Sequence, residues 1–334
     1  MHKEWTADDV LELMRDYQPA CVLAAAAELD LFSVLANGSR DAKGAADKLG
    51  TDLRATSILL DALTALGFLE KRDRRYVLPA ATARVLTPAS STSVLPMVRH
   101  QANCIRRWDQ LARVVQTGRP TERQPSIRGE TDDEAAFIGA MNVVTGPVAP
   151  GIVEELGPPV FSHLLDVGGA SGTWTIAFLR ARPEANGTLF DLPHVIPMAE
   201  RRISEAGMRD RVKLVAGDFL ADPLPPGADL AWVSAIAHQN SREENRRLFS
   251  SVADALNDGG HILIRDVLMD DSRTLPPAGA LFAINMLVAT EAGGTFTFDE
   301  LREDLEAAGF TEATVLRRDE GMNSIIRANK PSKT

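Results

Sequence analysis

Two spacings of apolar residues divide the chain. Up to about residue 155 apolar side chains recur every three or four positions, which predicts amphipathic helices. The first helical run extends from Thr6 to Leu35, where Asn37-Gly38 predicts a stop, and Pro19 is expected to separate it into two helices. From Phe161 onwards, short apolar strands alternate with helices. This alternation is typical of a parallel sheet covered on both faces, so an α/β domain is predicted.

The amino-terminal part has the element order of a winged helix. Two helices precede a two-stranded wing that turns at Asp73, in the stretch EKRDRRYVLPAATARVL. The second helix, TSILLDALTALGFL, is rich in Leu and Ala, so it predicts a burial surface and not a DNA reader. We therefore expect a mainly helical domain at residues 1–100, a helical connector at 101–155 and the α/β domain at 156–334.

The carboxyl terminus predicts a β-hairpin. TEATVLRR and SIIRANK are joined by the short turn DEGMN, and two strands connected so tightly must be antiparallel. The last strand is therefore expected to lie antiparallel in an otherwise parallel sheet.

Charge and cysteine content exclude several classes of partner and of site. The net charge of −10 disfavours a nucleic-acid partner, because nonspecific affinity for phosphates comes from Lys and Arg. Two cysteines without a CxxC pair suggest neither a disulfide framework nor a zinc site. No apolar run reaches membrane-spanning length and no signal core is evident, so the expectation is a cytoplasmic protein with no membrane partner.

The stretch LLDVGGASG predicts a nucleotide-type cofactor loop. It leads from an apolar strand into a helix, and Asp191 closes the next strand 19 residues beyond Gly172, where its carboxylate can accept ribose hydroxyls. NAD and S-adenosylmethionine both fit this spacing. The antiparallel terminal hairpin is characteristic of methyltransferase sheets, so it favours S-adenosylmethionine.

These motifs resemble those of the plant-type, caffeate/acetylserotonin-like family of S-adenosylmethionine-dependent O-methyltransferases, over nearly all of the chain. LLDVGGASG is similar to the cofactor loop of the family, and FDLPHVI to its ribose-binding segment. VAGDFLADPLP is similar to its adenine segment, and AELDLFSVL to its dimerisation helices. The resemblance implies a Rossmann-like methyltransferase sheet preceded by a winged-helix domain that forms a homodimer.

The resemblance also implies the cofactor site, with S-adenosylhomocysteine as the product. Gly168 would approach the methionyl end, Asp191 would hold the ribose, and Asp218 with Phe219 would bracket the adenine. Ala170 occupies a position that is commonly glycine, and mild crowding is expected there. The full set of implied cofactor residues is Asp166, Gly168, Gly169, Gly172, Asp191, Leu192, Gly217, Asp218, Phe219 and Ser234.

For catalysis, the resemblance places a general base at His238, after the fourth strand. A phenol has a pKa near 10, so an imidazole within hydrogen-bond reach can assist its deprotonation. Asp266 matches one of two acidic residues that flank the family's histidine, but Thr295 stands at the other acidic position. Gln239 also differs from the usual Asp that follows the histidine.

The resemblance also implies an acceptor site. The connector is expected to contribute to it, and no metal ion is expected, because Asp266 and Asp271 lack clustered ligands. The residues at positions that resemble the family's acceptor pocket are Phe137, Met141, Asn142, Asn285, Met286 and Glu291. A small aromatic or polyketide-like hydroxyl compound is the expected substrate. The alternatives are C- or N-methylation, a non-methylating relative, and a winged-helix transcription regulator.

Overall fold

The computed structural model of the chain describes residues 4–332. Its helices are α1 (Ala7–Leu13), α2 (Tyr17–Glu28), α3 (Leu31–Ala36), α4 (Ala42–Leu49), α5 (Leu53–Ala65), α6 (Ala80–Leu86), α7 (Leu95–Trp108), α8 (Leu111–Thr117), α9 (Glu130–Thr145), α10 (Ala149–Leu156), α11 (Thr173–Ala181), α12 (Ile196–Glu205), α13 (Arg242–Ala255), α14 (Pro277–Ala289) and α15 (Phe298–Ala307). Its strands are β1 (Arg40–Asp41), β2 (Glu70–Arg72), β3 (Arg75–Val77), β4 (His163–Val167), β5 (Asn186–Asp191), β6 (Val212–Ala216), β7 (Ala228–Ser234), β8 (Leu256–Asp266), β9 (Leu268–Met269), β10 (Phe296–Thr297), β11 (Thr311–Arg317) and β12 (Ser324–Asn329).

The first of two compact units comprises residues 1–106 and 123–143. Its first two helices are separated at residues 14–16, and Pro19 lies in the first turn of α2, so the expectation that Pro19 itself divides them is wrong. The N–H groups of the first helical turn have no partner within the helix, so a proline there removes no hydrogen bond. Phe32, Leu60 and Leu63 belong to the buried core of this unit.

The predicted order of helix, helix and hairpin is present in this unit. Asp41 and Asp52 cap α4 and α5, each accepting a hydrogen bond from a backbone N–H three residues on. The hairpin turns at Asp73 and Arg74, which both have positive φ, and its strands extend a small sheet of order β1-β3-β2. Both residues are thus in the conformation that a two-residue hairpin turn requires.

The second unit comprises residues 107–122 and 144–334 and contains the main sheet. The strand order is β11-β12-β8-β7-β4-β5-β6. Strands β8, β7, β4, β5 and β6 are parallel, and β12 pairs antiparallel with both β8 and β11. The predicted carboxy-terminal hairpin and its antiparallel strand are therefore confirmed.

Two buried clusters cover the two faces of this sheet. One face packs against α10, α11 and α12, with Trp232, Phe178 and Leu263 fully buried. The other packs against α13 and α15, with Phe249 and Leu305 fully buried. Both faces of β4 and β7 are covered for this reason, which explains the apolar pair Leu164–Leu165 and the apolar run 230–233.

Among residues 4–332, no single helix has the length and apolar character of a membrane span, and only one bent pair of consecutive helices meets those criteria jointly.

Candidate active site

The loop between β4 and α11 takes a conformation that requires glycine. Gly168 and Gly172 have φ values of +67° and +78°, in the left-handed region that side chains rarely adopt. At Gly169 a side chain is excluded by steric clash, because a Cβ there would lie 2.6 Å from Leu189 Cγ. The three glycines therefore let the backbone turn sharply at the carboxyl end of β4.

Ala170 also lies in the left-handed region, with a φ of +48°. Its N–H donates a hydrogen bond of 2.7 Å to Asp191 Oδ2. The sequence predicted mild crowding by the methyl group, whereas the structure identifies the backbone conformation as the source of strain. That conformation costs an L-residue about 1–2 kcal/mol.

Asp191 closes β5 and links it to the loop. Its Oδ1 accepts a hydrogen bond from Leu192 N and its Oδ2 accepts one from Ala170 N, both at 2.7 Å. Burial raises the pKa of Asp191, while these two N–H groups act in the opposite direction. Since a carboxylate has about four lone-pair sites, two acceptor positions remain for the vicinal hydroxyls of a ribose.

Asp166 lies beneath the loop and is almost completely buried. Its Oδ2 accepts hydrogen bonds from Thr175 Oγ1 at 2.5 Å and from Thr175 N at 3.2 Å. Burial raises the pKa of Asp166 to about 7. These contacts favour a role in holding the first turn of α11 against β4, and direct contact with a cofactor stays a prediction.

The segment after β6 continues the same edge of the sheet. Gly217 N donates to Asp191 O at 3.0 Å, and a Cβ on Gly217 would lie 2.5 Å from Phe190 Cζ. Asp218 is exposed, and its Oδ1 accepts a hydrogen bond from Leu220 N at 2.9 Å. The half-buried Phe219 ring lies 3.9 Å from the position of a Cβ on Gly168.

These groups fit an adenosine-containing cofactor. The β4 loop, Asp191 and the pair Asp218–Phe219 lie at the carboxyl ends of three neighbouring parallel strands. Ligands of open α/β sheets bind at such an edge, with an acidic residue at the second strand holding the ribose. Leu192 is 39% exposed beside Asp191, and Ser234 is half-buried at the end of β7.

His238 and Asp266 form a buried pair. His238 lies in a 3₁₀ turn after β7, and its Nδ1 is 2.8 Å from Asp266 Oδ1 and 3.1 Å from Oδ2. His238 N donates to Asp266 Oδ2 at 3.2 Å, and Val267 N donates to Oδ1 at 2.7 Å. A carboxylate only accepts, so Nδ1 carries the proton and Nε2 is left as the basic nitrogen.

Sequence reasoning missed three neighbours of His238, of which one contacts the ring and two bind the backbone of its turn. The Phe282 ring on α14 meets it edge to face, with centroids 4.8 Å apart. Gly294 N donates to His238 O at 2.9 Å. Asn245 is fully buried and donates from Nδ2 to Ala237 O at 3.0 Å. A buried amide facing a turn carries no recognisable sequence signal, because its partner is a backbone carbonyl.

Thr295, at the position of the second acid, is buried and its carbonyl accepts a hydrogen bond from Arg273 Nη1 at 3.1 Å. Within the part of the chain that the structure describes, the hydrogen-bond and ion-pair partners of His238 include no second carboxylate. The imidazole is therefore contacted by one carboxylate and by an aromatic ring, and hydrogen bonds of the His238 backbone hold its turn.

The predicted acceptor residues lie on two helices and one following turn. Phe137, Met141 and Asn142 are on α9, where the Phe137 ring is 43% exposed and tilts against His100 with centroids 5.2 Å apart. The others are Asn285 and Met286 on α14 and the exposed Glu291 after it.

Asn285 has a partner that the sequence did not reveal. Its Oδ1 accepts a hydrogen bond of 3.0 Å from Trp108 Nε1. An indole N–H only donates, so this contact fixes the orientation of the amide and leaves its NH₂ group as the donor. Asn285 follows Phe282 by three residues on α14, so both lie on the helix face that meets His238.

Within residues 4–332, no group of three or more His, Cys, Asp or Glu side chains is arranged so as to hold a metal ion.

The mostly parallel sheet with its antiparallel hairpin, together with the adenosine-type loop, defines an S-adenosylmethionine-dependent methyltransferase. A family model described as the O-methyltransferase domain matches residues 110–311, and one described as the O-methyltransferase dimerisation domain matches residues 11–92. The chain belongs to this O-methyltransferase family, and its cofactor is S-adenosylmethionine.

Similar proteins include three from Streptomyces. The 3-hydroxy-5-methyl-1-naphthoate 3-O-methyltransferase of Streptomyces sahachiroi is 35% identical, over 92% of this chain and 91% of its own length. The tetracenomycin polyketide synthesis 8-O-methyl transferase TcmO of Streptomyces glaucescens is 32% identical, over 91% of each chain. The N,N-dimethyltransferase OxyT of Streptomyces rimosus is 28% identical, over 97% of each.

A solved structure with the same fold contains the cofactor. Human N-acetylserotonin methyltransferase in complex with S-adenosylmethionine superposes with a TM-score of 0.80 and 26% identity, over 99% of this chain and 100% of the human one. The fold class inferred from the sequence is confirmed.

Proposed function

We propose that this enzyme methylates a hydroxyl oxygen of a small aromatic or polyketide-like compound, with His238 as the general base. The observation that carries the proposal is the buried His238–Asp266 pair, which leaves Nε2 as the basic nitrogen. The naphthoate and tetracenomycin methyltransferases to which the chain is similar support the acceptor class.

Bound S-adenosylmethionine supplies an electrophilic methyl group. His238 Nε2 would accept the proton of the acceptor hydroxyl, so that its oxygen could take up the methyl group that the cofactor would supply, with S-adenosylhomocysteine as the product. Asp266 then faces a positively charged imidazolium at 2.8 Å, which favours the proton transfer. Phe282 and the backbone contacts of His238 hold the imidazole in one orientation, which supports its reach toward an aligned acceptor.

Cofactor binding is proposed for the residues that the sequence singled out. Asp191 would accept the ribose hydroxyls, and Asp218 with Phe219 would bracket the adenine. Asp166 would hold the loop through Thr175. The neighbouring positions of the three strand ends in one sheet support this assignment.

The amino-terminal domain, residues 1–100, is proposed to form a homodimer, with 101–155 as the connector and 156–334 as the cofactor-binding domain. Large apolar side chains on and just after α1 are exposed, which supports burial against a second copy. Their exposed fractions are Val10 47%, Leu11 51%, Leu13 54%, Met14 66% and Tyr17 60%. The match of residues 11–92 to the dimerisation domain is consistent with this role.

N-Methylation is the second candidate. Thr295 replaces the second acid, and an aromatic amine is uncharged at neutral pH, so it attacks with its own lone pair and needs less help from a base than a phenol does. The similarity to OxyT, a named N,N-dimethyltransferase, favours testing it.

The test is product detection by mass spectrometry. The purified protein is given S-adenosylmethionine with matched hydroxy and amino derivatives of naphthalene, naphthoate and anthraquinone. We expect a mass gain of one methyl group only on hydroxyl compounds, with a fragment pattern that locates the methyl on oxygen. Methylation confined to the amino derivatives would replace the first proposal by the second.

A further inference from the structure

The turn that carries His238 has little negative charge around it. Within residues 4–332, Asp266 is the only carboxylate that forms an ion pair with the imidazole. The same carboxylate accepts hydrogen bonds from His238 N and Val267 N, and its charge helps to balance the buried cation Arg265. The positive charge that His238 gains when it accepts a proton is therefore balanced by one shared carboxylate.

The side chains that hold this turn are neutral amides. Gln239 Nε2 donates to Ala235 O at 2.9 Å, and Asn245 Nδ2 donates to Ala237 O at 3.0 Å. Asn240 Nδ2 donates to Asn245 Oδ1 at 3.1 Å. These three side chains stabilise the turn through its carbonyl groups and through each other, and they add no charge to the surroundings of the imidazole.

The segment before α15 brings a cation towards the turn. Gly294 N donates to His238 O at 2.9 Å. The next residue, Thr295, is buried, and its carbonyl accepts a hydrogen bond from Arg273 Nη1 at 3.1 Å. The same guanidinium forms an ion pair with Glu300. The carboxylate of Glu300 is thus balanced by Arg273, and Thr295 itself is neutral.

We infer that the acceptor is an acidic phenol, whose hydroxyl is conjugated through the ring to an electron-withdrawing carbonyl group. This inference rests on the proposed function of His238. An imidazolium is favoured by nearby negative charge, and only one shared carboxylate supplies it here, so a strongly acidic hydroxyl is the better proton donor. A simple phenol has a pKa near 10. A conjugated carbonyl spreads the negative charge of the oxygen and lowers that pKa.

Three naphthols of graded acidity test the inference. They are 1-naphthol, 4-hydroxy-1-naphthaldehyde and 4-(hydroxymethyl)-1-naphthol. The last two have similar size, but only the aldehyde carries a conjugated carbonyl. Single-turnover rates with saturating S-adenosylmethionine at pH 8 are followed by mass spectrometry. We expect the wild type to methylate the aldehyde at least about tenfold faster than the other two, as expected when the acceptor pKa falls by one unit or more.

Added negative charge should reduce this preference. Thr295→Glu puts a carboxylate on the segment that contacts the turn, and Thr295→Gln is its neutral control. We expect Thr295→Glu to raise the rate with 1-naphthol by about threefold to tenfold, because the imidazolium is stabilised. The rate with the aldehyde should change little, because an acceptor that is already ionised gains nothing from a stronger base. Thr295→Gln should keep the wild-type ratio of rates.

A second pair of variants covers the case in which Thr295→Glu fails to fold. Gln239→Asp adds the same charge at an exposed position beside His238, and Gln239→Asn is its neutral control. Both lose the reach of the Gln239 side chain, so a difference between them reports the charge alone. Gln239→Asp should lower the ratio of the aldehyde rate to the 1-naphthol rate relative to Gln239→Asn by about threefold to tenfold.

Equal wild-type rates with the aldehyde and the hydroxymethyl compound overturn the inference. A ratio that the added carboxylates leave unchanged, or that the neutral controls change equally, overturns it as well. Methylation on oxygen in those cases still supports the proposed function. If the wild type methylates no hydroxyl compound of the set, the proposed function fails together with the inference.

Discussion

At the scale of the residue, Ala170 combines a strained backbone with a functional contact. Its left-handed conformation aims its N–H at Asp191, so the strain fixes the carboxylate that is proposed to hold the ribose. Local strain of this type is maintained by the surrounding structure and is frequent at ligand sites.

Ala170→Gly should relieve that strain. We expect the free energy of unfolding to rise by about 1 kcal/mol or less, because glycine removes the left-handed penalty but also gains freedom in the unfolded chain. Ala177→Gly, in the middle of α11, is the control and should lower it by about 1 kcal/mol. Urea denaturation measures both. A loss of stability in Ala170→Gly similar to the control would contradict the account of strain.

Asp166 makes the free energy of unfolding depend on pH. Its pKa is about 7 in the folded chain, above its unfolded value near 4. Such a group contributes stability that is full below pH 4 and lost as the pH rises through 7. Asp166→Asn mimics the protonated form at every pH. Between pH 5 and pH 8 the wild type should therefore lose about 2–3 kcal/mol of unfolding free energy relative to the variant. Parallel pH profiles in denaturant titrations would exclude this role.

At the scale of the element, α14 brings its side chains to the proposed base. Phe282 contacts His238, and the next turn carries Asn285, whose amide orientation is fixed by Trp108. The amide thus presents N–H donors, which suit a carbonyl or carboxylate oxygen on the acceptor.

Trp108→Phe should raise KM about tenfold for hydroxyl acceptors that carry a neighbouring carbonyl, because the amide loses its fixed orientation. Acceptors without the carbonyl should be much less affected, and kcat should change little for either. Steady-state kinetics on the matched pair 1-hydroxyanthraquinone and 1-naphthol measures this difference in KM. An equal rise in KM for both compounds would show that Trp108 only packs.

Element patterns were easier to predict than contacts. The strand sequence and the terminal hairpin followed from apolar periodicity, which depends on neighbours in sequence. The exact break between α1 and α2 did not, because Pro19 is compatible with the first turn of a helix. The end of a strand at Asp191 was predictable from its distance to the loop. The contacts of Phe282 and Trp108 were not, because their partners lie far away in sequence, and that of Asn245 was not, because its partner is a backbone carbonyl.

At the scale of the whole molecule, the exposed apolar side chains of α1 predict an obligate partner surface. The double variant Leu13→Asp/Met14→Asp should shift the protein from dimer to monomer, because burying two carboxylates in an apolar interface is unfavourable. Val115→Asp, at an apolar side chain that is 65% exposed on α8, is the matched control. Sedimentation equilibrium measures the oligomeric state of both variants, and the control should remain a dimer. A double variant that sediments like the wild type would assign the interface to other residues.

The His238–Asp266 pair is proposed to remove the acceptor proton during methyl transfer. The most direct measurement is the single-turnover rate of methylation by wild type, His238→Ala and Asp266→Asn on a series of phenols of graded acidity. S-Adenosylhomocysteine affinity is measured in parallel. We predict losses of about 10²–10⁴-fold in His238→Ala that shrink as the phenol becomes more acidic, smaller losses in Asp266→Asn, and unchanged cofactor affinity. A His238→Ala enzyme that methylates weakly acidic phenols at the wild-type rate would contradict the claim.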